Sequence, residues 1–153
     1  MDDSFKLKTA LFNACLQFID HRLNAITHTI NEIQISLTSE TKSSAGDKHE
    51  TGRAMLQLER EKAGNQLAQI KNTKDVLLKV DVSKALSQVG LGSIVYTNKA
   101  NYFIAVSAGQ LTVNNTKFYA ISAQTPIGKL LIGKTVGHAV QFRNEAFTVT
   151  NVL

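Results

Sequence analysis

The sequence predicts an α+β protein: an N-terminal antiparallel coiled-coil hairpin followed by a small antiparallel β domain with one short helix. Three observations predict it. Apolar residues recur every seven positions through the first half, and short segments rich in Val, Ile, Phe and Tyr fill the second. Between them the heptads stop past Leu78, where Asp81-Val82-Ser83, Gly90 and Gly92 mark a connector. The expected boundaries are 1–78 for the hairpin, 79–92 for the connector and 93–153 for the β domain, a core that is small but sufficient.

The first helix follows from Phe5, Phe12, Ile19, Ile26 and Ile33, with a second series of Leu16, Leu23, Ile30 and Leu37 offset by four. This is an a/d seam sustained over four heptads, and it needs a partner. Leu56, Ala63, Ile70 and Leu77, with Leu67 between, supply one, and a helix-turn-helix path makes the two antiparallel. A helix over 5–37 extends roughly 50 Å at 1.5 Å per residue, so the hairpin is expected to protrude. Thr38 to Gly46 is a polar run without helical periodicity, rich in turn formers, and is expected to be the tip loop. With the residues after it, the tip region spans 38–50.

The second helix is expected to begin close to Asp47, because Asp favours the N-cap and Glu50, three residues on, completes a capping box. Capping accounts for this pair without any ligand. A carboxylate pair on a narrow projection is also placed for delivery into another molecule's cavity, and the two readings are not exclusive.

In the second half, Ser93–Thr97, Asn101–Ser107, Lys117–Ser122, Ala139–Arg143 and Ala146–Val152 have strand composition. Asn114-Asn115 and Asn144-Glu145 are the expected hairpin turns. Pro126 to Ile132 opens with proline and ends at Gly133, the signs of one short helix. Tyr96, Tyr102, Phe103, Phe118, Tyr119, Phe142 and Phe147 suit core packing and strand pairing better than a base-stacking surface.

The formal charge is +5, and it is uneven: residues 1–80 carry 11 basic and 10 acidic side chains, residues 81–153 carry 6 and 2. No Lys or Arg run occurs, so an acidic protein surface is as good a partner for the basic half as nucleic acid. Cys15 is the only cysteine, which excludes an internal disulfide, and its g position in the heptad implies packing at the seam edge. His21 and His28 fall at the outward f position and do not suggest a metal site. Leu11 and Phe18 share the c position, an apolar strip expected to dock the β domain. Neither a signal peptide nor a membrane-length segment is apparent, which predicts a cytoplasmic protein. No Ser/His/Asp or Cys/His arrangement stands out and no glycine-rich phosphate loop follows a strand, so a hydrolase is disfavoured.

The order of parts, with Gly46-Asp47-x-x-Glu50 at the tip and Thr125-Pro126-Ile127-Gly128-Lys129-Leu130-Leu131-Ile132-Gly133-Lys134 in the second half, resembles the bacterial Gre transcript-cleavage factors over nearly the whole chain. The resemblance implies that the β domain is FKBP-like, without a working proline-isomerase pocket. It implies a monomer that binds RNA polymerase through that domain and inserts the hairpin into the secondary channel. There Asp47 and Glu50 would help hold a Mg²⁺ shared with the polymerase, which would cut the 3′ end of a backtracked nascent RNA. The protein would be an accessory to an enzyme, with no cofactor stably bound alone. Gln124, Thr125, Pro126 and Ile127 would form the polymerase-facing loop.

Around the acids, Lys42, Lys48, His49 and Arg53 would either attract the RNA backbone or weaken the acids' hold on Mg²⁺ through ion pairs. As a metal ligand His49 is disfavoured, because Mg²⁺ prefers oxygen. The chain departs from the family pattern in several places. Thr125 stands where serine is common, Gln124 where some members have an acid, and His138 where an aspartate is usual. After Glu50, the family's Asn-Ala-Glu-Tyr is replaced by Thr51-Gly52-Arg53-Ala54, which loses an acid and an aromatic residue. That loss favours an alternative, a non-cleaving regulator of the same channel; a self-associating coiled-coil adaptor is the third reading.

Overall fold

The computed structural model describes residues 3–42 and 47–153, and the side chains of all of these except 41, 42 and 47–50. Two long helices come first, α1 (Asp3–Lys42) and α2 (Asp47–Leu78). They are followed by strands β1 (Ile94–Thr97), β2 (Asn101–Ala105), β3 (Gly109–Val113) and β4 (Thr116–Ser122), then helix α3 (Pro126–Leu131), and last β5 (Ala139–Phe142) and β6 (Glu145–Val152). Packing divides the chain into two compact units, Met1–Phe18 with Lys74–Leu153, and Ile19–Thr73.

In the unit Ile19–Thr73 the heptads behave as expected. Ile19, Ile26, Ile33 and Leu37 of α1 and Ala63 and Ile70 of α2 are buried, while Leu23, Ile30, Leu56 and Leu67 are half-buried. A two-helix seam has no third element to close over its edges, so part of each apolar side chain stays wet. The expected end of α1 near Leu37 is corrected: the helix continues through Lys42. Its last turns are polar, but exposed Ser, Thr, Glu and Lys are tolerated in a helix when their polar groups find local partners. Thr38 Oγ1 donates to the Gln34 carbonyl at 2.9 Å, and Thr27, Thr29 and Thr73 make the same four-residue back-bond. The rest of the expected tip loop, 43–46, lies outside the described residues. Helix α2 starts at Asp47, where the capping argument put it.

In the other unit the strands form one sheet in the order β3-β4-β2-β1-β6-β5. The sheet is mainly antiparallel, as expected, and mixed by a single pair: β2 and β4 run parallel, with Tyr102 opposite Tyr119 and Ala105 opposite Ser122. The cause is β3, whose sequence Gly-Gln-Leu-Thr-Val was not expected as a strand. It takes the sheet's outer edge and turns through Asn114-Asn115, both at positive φ (52° and 62°), to place β4 between itself and β2. The second hairpin turn is Arg143-Asn144, one residue earlier than expected, with Phe142 opposite Glu145.

Val89, Val95, Ile104, Leu131, Val140, Phe147, Val149 and Val152 make the core of this unit. Leu131 brings α3 into that core. Phe103 and Phe118 are also buried, and Tyr96 meets Phe118 edge-on at 6.0 Å, so most of the aromatic residues pack as expected. At the base of α1, Leu11 and Cys15 are completely buried, whereas Phe18 is 39 % exposed. The apolar c strip is thus covered at Leu11 and partly open at Phe18.

Candidate functional site

Two places carry the residues singled out by sequence, and each is built differently. At the hairpin tip, Asp47 and Glu50 occupy the first turn of α2, three residues apart. That spacing makes them neighbouring positions on one helix face, at the end where the helix dipole favours negative charge. Their side chains, with those of Lys42, Lys48 and His49, lie outside the described residues. Two carboxylates suit a hard, oxygen-seeking ion such as Mg²⁺ but fill only part of its octahedral shell. Among the described residues no group of three or more His, Cys, Asp or Glu side chains could hold a metal by itself.

Arg53 is placed by the structure in a role that sequence did not suggest. Its guanidinium Nη1 donates to the Leu37 carbonyl of α1 at 3.2 Å, so the side chain ties the two helices together one turn below the acids. Beside it, a Cβ added to Gly52 would meet the Glu40 carboxylate at 3.7 Å, ordinary contact distance. Gly52 and Arg53 therefore lie against the last turns of α1.

The second place is the turn from β4 into α3. Thr125 is the N-cap, extended at φ −68° and ψ 156°, and its Oγ1 accepts from the Gly128 N–H at 3.1 Å. The same hydroxyl donates to the Ser122 carbonyl at 2.7 Å, and Gln124 N–H donates to Ser122 Oγ at 3.1 Å. Pro126 sits at the first helical position, where its missing N–H costs nothing. This wrap brings Gly128 against the strand end: a Cβ there would lie 2.3 Å from the Ser122 carbonyl oxygen and 2.8 Å from Thr125 Oγ1. Of the four residues expected to face a partner, Gln124 and Pro126 are exposed, Thr125 is committed to capping, and Ile127 packs on the core. Sequence reasoning missed three exposed apolar residues just beyond them, Leu130, Ile132 and Val136 (37 %, 38 % and 58 % exposed). For Leu130 and Ile132 the signal was misleading, because an apolar run in and at the end of a short helix ordinarily means core.

His138 directly precedes β5. Its Nδ1 accepts from the Thr135 N–H at 2.9 Å, and the His138 backbone N–H donates to the Thr135 carbonyl at 3.2 Å. An imidazole nitrogen here makes the acceptor bond that a carboxylate oxygen could make from the same position, which explains how histidine is accommodated.

No protein-family model matches the chain, and neither does any curated protein. Among solved structures, it is similar to the crystal structure of GreA factor homolog 1 (Gfh1) of Thermus thermophilus, at 17 % identity over 88 % of this chain and 92 % of that one, with a TM-score of 0.35. A structure described as the transcription factor Gfh1 is similar at 18 % identity over 88 % and 90 %, with a TM-score of 0.34. Both identity and TM-score are low, and the functional reading rests on the chain's own residues. Among the described residues no helix is long and apolar enough to cross a membrane.

Proposed function

We propose that this protein is a transcription elongation factor that binds RNA polymerase through its β-rich half and acts in the secondary channel through the tip of its helical hairpin. The observation that carries this reading is the acid pair itself: Asp47 and Glu50 open a 32-residue helix that is paired with a 40-residue one. Asp47 and Glu50 would hold a Mg²⁺ jointly with polymerase groups, the ion supplying an oriented water for RNA cleavage. The hairpin's task is positioning, and the polymerase remains the enzyme. Gln124 and Pro126 are the exposed members of the loop that would face it.

A second reading has an observation of its own. Arg53 stands where the resembling family has an acid, and it is engaged with the α1 backbone, which adds positive charge beside the acids and favours a channel regulator without cleavage. Backtracked elongation complexes with Mg²⁺ separate the two. Transcript shortening that vanishes in the Asp47→Ala, Glu50→Ala double variant is the expected result. Polymerase binding without shortening would transfer the assignment to the non-cleaving regulator, and no binding would remove both.

A further inference from the structure

The base of α1, the connector and the end of β6 line an open cavity of about 250 Å³ that none of these roles uses. Its walls all belong to the compact unit formed by Met1–Phe18 and Lys74–Leu153. Phe5, Leu86 and Val152 give it an apolar side, Lys8 and Lys84 line it as cations, and no Asp or Glu does. Leu153 also lines it, with its N–H and carbonyl oxygen both paired to Ile94.

Lys8 is the unusual member. It is 1 % exposed, one of the two buried polar residues among the described residues. An ammonium carries three donors, and this one gives a single hydrogen bond, to the Lys84 carbonyl at 2.7 Å. No ion pair to Lys8 occurs among the described residues. The acid whose charge acts on it, Asp81, receives both the N–H and the hydroxyl of Ser83. Its field does not offset burial, which holds the Lys8 pKa below the ordinary lysine value. A buried charge with one neutral partner is costly, so the protein gains most at this point from an anion that enters the cavity.

We propose that this cavity binds a small amphiphilic anion, a carboxylate or phosphate monoester on a short apolar body, with Lys8 and Lys84 facing its head and Phe5 and Leu86 its body. The size fits, since drug-sized ligands take roughly 300–1,000 Å³ and this occupant is smaller. Binding would fasten the connector to the first turns of α1.

The test is an amide-resonance titration of the full chain with hexanoate and with phenyl phosphate, against hexylammonium and 1-hexanol. Saturable shifts at residues 5, 8 and 83–86, at affinity about ten-fold or more above both controls, are expected; the stronger of the two anions assigns the head group. Lys8→Met should lose that ten-fold preference. Because a core change at Lys8 can disturb folding, Ala85→Phe provides a second variant, which narrows the cavity with Lys8 intact and should abolish the shifts. Absence of saturable shifts in the native chain, hexanol binding as well as hexanoate, or undiminished anion binding in Ala85→Phe would each overturn the proposal.

Discussion

The hairpin tip and the turn into α3 each hold a short motif, yet they use their residues in opposite ways. At the α3 turn nearly every polar atom is consumed locally: Thr125 bonds Gly128 and Ser122, and Ser122 bonds Gln124 and Thr125. At the tip, the chemistry-bearing residues are two acids at a helix start, and a turn below them Arg53 bonds the Leu37 carbonyl of α1. One motif specifies a shape and the other displays a charge. The contrast teaches that mutation of the first should be felt as stability, and mutation of the second as function.

Gly128→Ala should have the largest effect. With the Ser122 carbonyl oxygen 2.3 Å from the new methyl group, the backbone on one side must move, at a cost of about 3 kcal/mol or more, measured by urea unfolding of the full chain. A loss under about 1 kcal/mol would mean that the β4–α3 turn is not tightly wrapped, and the contrast would fail on that side. Thr125→Ala removes the cap and should cost about 1–2 kcal/mol, while Thr125→Ser should keep the bonding and most of the stability. Equal losses in the two variants would point to the methyl group and away from the hydroxyl.

At the tip the effects should be smaller. Arg53→Ala deletes the guanidinium bond to Leu37 and should cost about 1 kcal/mol, with faster amide hydrogen exchange confined to the end of α1 and start of α2. Exchange that rises over both helices would show that Arg53 supports the whole seam. Cys15 should give the smallest and most conditional effect. Burial pushes its thiol from 9.0 up to about 12, so the folded state holds the proton that the unfolded chain releases. Stability from this source is complete below pH 9 and falls as pH rises from 9 toward 12. Cys15→Ala should flatten that decline in unfolding curves; an unchanged slope would place the alkaline transition elsewhere.

Much of the fold was legible because it rests on local periodicity. Seven-residue spacing placed Ile19, Ile26, Ile33 and Leu37 in the seam, and all four are buried. Proline at 126 and glycine at 133 bracketed α3 to within two residues. What escaped was decided by neighbours. Strand β3 has a polar, mostly exposed face because it borders solvent at the sheet edge, so its residues lack the apolar content that marks an interior strand. Residues 38–42 have loop-like composition, yet they stay helical beside the start of α2, where Arg53 reaches across to the Leu37 carbonyl. The acid pair and the capping loop were both legible as motifs; the commitment of Thr125 to its own turn was not, because a hydroxyl's partner is a matter of three-dimensional distance.

By itself, then, the sequence determined the two long helices, their seam, the start of α2 at Asp47 and the short proline-led helix. These depend on side-chain spacing along one chain and on residues with restricted backbones. Tertiary structure alone decided that β2 and β4 run parallel, that Arg53 bonds α1, that Leu130, Ile132 and Val136 remain exposed, and that Lys8 is buried beside a cavity. Each of these depends on what lies opposite a residue far away in the chain, and burial, unlike periodicity, is a property of the pair.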